Sequence, residues 1–221
     1  MASTLASRAD RSAGSRAGLA LEAELWQAGY RLVAGADEAG RGAWAGPLVA
    51  AAVVLPAGGQ ALAPLLGRVD DSKRLTPARR SELYDAIHEC ALAVAVTLVS
   101  ADEIDRIGIL AANRLALVSA ATGLAAPPDF LLVDFLTLPG CAIPQRGIAH
   151  GDALSLTIAA ASIIAKVTRD RWMAQQEATY PDYGFAQHKG YGTAAHRAAL
   201  DRLGPCHLHR LSFGPLRAYV C

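Results

Sequence analysis

The chain has little of what marks a secreted, membrane or purely electrostatic protein. Its four cysteines, Cys90, Cys141, Cys206 and Cys221, show no CxxC spacing. No apolar leader with a small-residue cleavage site precedes them, so disulfides are not expected and a cytoplasmic location is. The longest nearly apolar runs, Ala43 to Leu55 and Ala153 to Ala165, fall well short of the roughly 20 residues that span a bilayer. They read as buried core, and no membrane association is expected. Charge of one sign is missing too: 21 basic residues face 20 acidic ones, for a net +1, which leaves recognition of a polyanion to local charge.

What is present is ordinary for a soluble enzyme. The 221 residues are 52% apolar and 19% charged, which excludes a disordered chain and allows one sizeable core. No internal repeat or long linker divides it. We expect a disordered Ala, Ser and Arg-rich tail over 1–20 and a single domain over 21–221. The segment from Gln187 to Cys221 is basic, with Lys189, Arg197, Arg202, Arg210 and Arg217 against Asp201, and it also holds His188, His196, His207 and His209. That charge fits either a phosphate-facing surface or a solvated helix face.

The pattern of elements predicts an α/β fold: a mixed central β-sheet flanked by helices, with a helical C-terminal part. A short helix over Leu19 to Ala28 leads into the strand "YRLVAGAD" and then "GPLVAAAVVLP", whose unbroken Val, Leu and Ala content implies burial on both faces. Thr76 caps a helix from Pro77 to about Cys90. "ALAVAVTLVS" alternates as a strand, and Ser100 with Glu103 forms a capping box for a helix interrupted at Gly108 and resumed to Ala121. "DFLLVDF" is the next strand. One long helix is expected from Ala153 to Tyr180, and a last one from Thr193 to Leu203.

Carboxylates recur at the edges of these elements. Asp37 and Asp134 close two predicted strands; if the strands are neighbours, both acids reach the edge where α/β sheets place their sites. Glu38 alternates to the other face and can join only if Gly40 lets the backbone turn. Asp152, in "HGDALS", would join from the start of the long helix, though alone it reads as an N-cap. Crowded carboxylates repel, by a few kcal/mol at about 4 Å and an effective dielectric near about 20. A divalent cation removes that penalty, and oxygen-only ligands select Mg²⁺ or Mn²⁺ over Zn²⁺.

In order along the chain, "DEAGRG", "DSKRL", "LLVDF", "HGD", "IAAASIIAKVTRD", "YGFAQHKGYGT" and "SFGP" resemble bacterial ribonuclease HII, from about Leu32 to Arg217. The resemblance implies a ribonuclease H-like fold and metal-dependent endonucleolytic cleavage of RNA hybridised to DNA, including single ribonucleotides embedded in duplex DNA. It implies that Asp37, Glu38, Asp134 and Asp152 hold Mn²⁺ or Mg²⁺, and that the partner is nucleic acid; a monomer is expected. Gly40, Arg41 and Gly42 suit close approach to the sugar and phosphate beside the 2′-OH. The resemblance places Tyr191 against the sugar following the ribonucleotide. Lys73 and Lys166 are candidate phosphate contacts. Related ribonucleases HIII carry an extra N-terminal domain, and only about 30 residues precede the first strand here, which favours HII.

Two residues depart from the family pattern: Phe135 stands where Gly usually follows the third acid, and His150 where Lys usually precedes the Gly-Asp pair. Three rival readings remain open at this level. They are another metal nuclease or a transposase of the same fold, a basic binding module whose acids are surface charge, and a zinc protein using Cys206, His207 and His209 of "CHLH".

Overall fold

The computed structural model describes residues 17–58, 62, 65, 68–69 and 75–219. Residues 1–16 and Lys73 lie outside them. In chain order the elements are α1 Ala20–Gln27, β1 Val33–Ala39, β2 Leu48–Val54, α2 Pro77–Cys90, β3 Ala93–Val99, α3 Ala101–Ile107 and α4 Ile109–Thr122. Then come β4 Phe130–Asp134, β5 Gln145–Ile148, α5 Gly151–Leu154, α6 Leu156–Gln175, α7 Phe185–His188 and α8 Ala194–Leu203. The strands form one mixed sheet in the order β3-β2-β1-β4-β5. β1, β2 and β3 pair antiparallel, whereas β4 joins β1, and β5 joins β4, in parallel.

The two-sided burial read from the apolar run holds: every residue of β2 is buried. Val49, Ala51 and Val53 face α6 and α2, while Leu48, Ala50, Ala52 and Val54 face α4. Because side chains alternate along a strand, helices on both sides bury both sets. Each fully buried Val or Leu contributes about 1.5–3 kcal/mol, so these two clusters fix the frame that carries the acids. Gly35 lets α6 approach β1: a Cβ there would overlap the α6 backbone at Thr157 and Ile158.

The caps read at Thr76 and Ser100 hold, and Thr193, expected as the first helical residue, is itself a cap. The Thr76 hydroxyl accepts from Arg79 N–H at 3.3 Å, that of Ser100 from Glu103 N–H at 3.2 Å, and that of Thr193 from His196 N–H at 3.2 Å. The expected helix from Ala153 to Tyr180 is instead broken. Ser155 is extended, with φ −109° and ψ 127°, and its hydroxyl accepts from Ile158 N–H at 3.2 Å to start α6 afresh. The break is also held from outside, because Gly18 pairs with the segment through Gly18 N–H to Leu154 C=O and Leu156 N–H to Gly18 C=O. Buried Glu22 of α1 accepts from the Ser155 hydroxyl and from Thr157 N–H and hydroxyl. Asp152 therefore sits in the separate four-residue α5. β5 and α7 escaped the sequence reading: "QRGI" has no apolar alternation, and α7 has only four residues.

Candidate active site

Strand β1 runs through both acids to Ala39 with its register intact, Asp37 opposite Ala51 and Glu38 opposite Ala50. No turn at Gly40 is needed. Asp37 faces the Ser162 hydroxyl on α6, and Glu38 faces Asn113 on α4. Ala36 pairs with Val133 on the parallel neighbour, so Asp134, the last residue of β4, comes level with Asp37 and interacts with both acids of β1. The expectation that the two strands lie side by side is thus met.

Convergence of these carboxylates has an electrostatic cost. Asp37 is 6% exposed, and its carboxyl is pushed well above the usual range, by burial first and then by Glu38 and Asp134, against the Ser162 hydroxyl and Glu38 N–H. Glu38 is raised by burial and Asp134, against Arg41 at 3.9 Å and the Asn113 amide. Asn113 is buried, and neither its Nδ2 nor its Oδ1 makes a hydrogen bond of normal geometry among the described residues, so the Arg41 charge is the larger influence favouring ionised Glu38. Asp134 Oδ1 accepts from Gly151 N–H at 2.7 Å, which ties α5 to the end of β4.

Asp37, Glu38, Gly40, Arg41, Gly42, Asp134, Lys166 and Tyr191 line one cleft of about 530 Å³ together with Arg80 and Ser162. An adjoining cleft shares Glu38, Arg41 and Asp134 and adds Phe135, Leu136, His150 and Asp152. Asp152 thus lines a cleft with Glu38 and Asp134, and Tyr191 does not line it. Lys166 reaches Asp170 at 2.8 Å and lies 5.2 Å from the centre of the Tyr191 ring. Arg80 was missed in the sequence, where "PARR" reads as an ordinary exposed helix turn.

Can these residues hold a divalent ion? Among the described residues no three His, Cys, Asp or Glu side chains enclose an ion by themselves, which argues against a closed zinc site in the C-terminal histidines. Mg²⁺-type sites differ: they use one or two carboxylates and leave the remaining positions to water and substrate phosphate. An open row of oxygen donors whose mutual repulsion raises Asp37 and Glu38 fits that chemistry.

The loop after β1 is held from beneath by two arginines that sequence reasoning assigned no role. Arg169 and Arg210 are fully buried. Arg169 donates to the carbonyls of Pro47, Ala45 and Lys189 at 2.9 to 3.0 Å. Arg210 donates to Gly46 and Arg41 at 2.9 to 3.1 Å. Among the described residues neither has a carboxylate within 4 Å, so their charge is met by carbonyl dipoles. Burial and then Arg169 push Arg210 down to about 9, leaving it protonated at neutral pH. The basic count of the C-terminal segment hid this, since Arg210 is a strut and not a surface charge.

Three of the C-terminal histidines are buried struts as well. Cys206 N–H donates to His209 Nδ1 at 2.9 Å, so His209 carries its proton on Nε2 and donates to His196 Nε2 at 3.0 Å; His196 Nδ1–H then donates to the Tyr191 carbonyl at 3.0 Å. His188 stacks on His196 at 4.3 Å and accepts from Gly190 N–H. The relay fixes the backbone that carries Tyr191, and it works only with neutral rings. Burial pushes His196 and His209 from 6.5 down to about 4. Between those values the unfolded chain binds protons that the folded one refuses, so this cluster's contribution to stability falls as pH drops from about 6.5 to 4 and levels off below. ¹⁵N imidazole shifts are expected to show both rings unprotonated down to about pH 5; titration near pH 6.5 would contradict the relay.

Both departures from the family pattern take positive φ, Phe135 at 60° and His150 at 57°. They alter the rim and leave the acids in place.

The family model described as Ribonuclease HII matches residues 34–215. The chain is 54% identical over 196 residues to a ribonuclease HII of Geobacillus thermodenitrificans, covering 89% of this chain and 73% of that protein. It is 52% identical over 198 residues to one from Chloroflexus aurantiacus, covering 90% and 93%. The fold matches the crystal structure of ribonuclease H2 from Pyrococcus horikoshii with a TM-score of 0.67 at 28% identity, over 85% of this chain and 96% of that one. With the acids, the glycine loop and the model match all falling in one continuous stretch, the chain belongs to the ribonuclease HII family.

Proposed function

We propose that this chain is an endoribonuclease that hydrolyses the RNA strand of RNA–DNA hybrids and cuts at ribonucleotides embedded in duplex DNA, leaving 5′-phosphate and 3′-hydroxyl ends. One observation carries the reading: Asp37, Glu38 and Asp134 open into the same cleft as the Gly40–Gly42 loop and Tyr191. Acids alone would fit any metal nuclease of this fold. Their union with a loop able to approach a ribose is what favours this substrate.

Asp37, Glu38, Asp134 and Asp152 would hold two divalent ions, Mn²⁺ or Mg²⁺. When bound, such ions lower the pKa of an attacking water and stabilise the departing 3′ oxygen. The rest falls to the chain. The Gly40–Gly42 loop, fixed by Arg169 and Arg210, would receive the sugar and phosphate at the 2′-OH, with Arg41 adding charge. Tyr191 would stack on the next sugar, and Lys166 and Arg80 would face phosphates along the cleft. We read residues 21–221 as one catalytic domain acting as a cytoplasmic monomer; among the described residues no helix is long and apolar enough to cross a membrane.

Cleavage of an RNA–DNA hybrid is expected to vanish in chelator and to return with Mg²⁺ or Mn²⁺ added singly, with ends that a ligase joins directly. Cutting that persists in chelator would refute the metal assignment.

A further inference from the structure

Phe135 occupies a position that its own side chain makes costly. It follows Asp134 at the end of β4, with φ 60°, in a three-residue turn closed by Leu136 N–H to Asp134 C=O at 2.6 Å. That positive-φ form of the γ-turn is rare and strained, and for a bulky side chain such a conformation is an outlier. Folding recovers little of this by burial, because Phe135 is 70% exposed. Among the described residues no ring stacks on it. Glycine would hold the turn without strain and without an exposed aromatic surface. A residue that is both strained and solvated points to a contact made outside the free protein.

Its location says which contact. Phe135 lines the cleft of Asp152 and His150, and that cleft shares Glu38, Arg41 and Asp134 with the cleft of Tyr191. The two clefts thus meet at Glu38, Arg41 and Asp134, with Tyr191 lining one and Phe135 the other. A nucleic-acid strand laid across the acids meets both. Every base offers a π face, and aromatic side chains bind unstacked or partly unstacked bases without regard to sequence.

We propose that Phe135 is a substrate-binding residue that stacks on a base of the cleaved strand, on the opposite side of the scissile phosphate from Tyr191. This rests on the substrate reading given under Proposed function. The turn keeps its backbone fixed, since Phe135 N–H donates to Ile148 C=O at 2.8 Å, so the ring projects from a rigid strand end. Phe135 positions substrate and does not touch the reacting atoms.

The test compares wild type with Phe135→Gly and Phe135→Leu on a duplex holding one ribonucleotide, with 2-aminopurine placed at successive positions of the cleaved strand on either side of it. The probes are quenched by base stacking in the free duplex, and wild type is expected to brighten one of them, on the side away from Tyr191, by drawing that base out of the stack. Phe135→Gly is expected to lose that brightening and raise KM roughly tenfold, the loss of about one stacked base. Its kcat should stay within about twofold and its Tm unchanged or higher, because the strain is gone. Phe135→Leu should fall between the two in KM. Wild-type KM and wild-type probe brightening in Phe135→Gly would overturn the proposal, as would a fall in kcat together with Tm, which would mark the ring as structural. If wild type fails to cut the ribonucleotide duplex at all, the substrate reading fails and the stacking inference falls with it.

Discussion

Asp37→Asn and Asp134→Asn are each expected to reduce kcat by about three orders of magnitude or more. Each removes a carboxylate proposed to hold the metal, whose charge stabilisation of the transition state is worth several kcal/mol, and about 4 kcal/mol corresponds to roughly a thousandfold. The accompanying stability change discriminates a metal site from a structural one. Asp37 is buried opposite Glu38 and beside Asp134, and burial and repulsion both oppose its charge. Without divalent ions, Asp37→Asn should therefore unfold at a temperature equal to or above that of wild type, and added Mg²⁺ should raise its Tm less. Retention of full metal-dependent cleavage would refute the site. So would a large loss of Tm with no effect of metal, which would make Asp37 a structural acid.

Gly40→Ala should be nearly as damaging, through a different cause. Gly40 has φ +89°, and a Cβ built there would lie inside the Arg169 side chain at Nε and Cδ. Arg169 cannot give way freely, because its three hydrogen bonds hold the carbonyls of Pro47, Ala45 and Lys189. Backbone strain and lost charge-assisted bonds together cost about 2–4 kcal/mol, a fall in Tm of roughly 4–16 °C for a chain of this size. KM for the ribonucleotide substrate should rise in parallel, measurable at a temperature where the variant remains folded. Gly42→Ala is the control: nothing lies within 4 Å of a Cβ at that position. It should keep Tm and affect only substrate binding.

Much of the frame was legible because its signals are local. The Val, Leu and Ala run of β2, the hydroxyl caps at Thr76 and Ser100, and the glycine at 108 each act within a few residues. The acid at the end of "LLVDF" could be placed beside Asp37 because neighbouring parallel strands bring their C-terminal ends to one edge. What escaped depends on partners distant in sequence. Ser155 breaks the expected long helix because Gly18 and Glu22 reach it from more than 130 residues away. Arg169 drew no reading from the sequence and Arg210 counted only toward the basic C-terminal segment, and only the folded chain shows them threaded under the loop of residues 40–47. Three of the C-terminal histidines offered no signal beyond clustering, since a hydrogen-bonded relay and a metal site use the same residue type. Lys73 lies outside the described residues, and its phosphate contact stays a sequence expectation.

Cutting at the acids is expected only where the glycine loop meets a ribose. Two duplexes identical except for one 2′-OH, incubated with the protein and either Mg²⁺ or Mn²⁺, test it in a single comparison. The duplex holding the ribonucleotide should be cut at that residue, with its all-DNA twin intact. Equal cutting of both duplexes would contradict the account and return the protein to the metal nucleases that ignore the sugar.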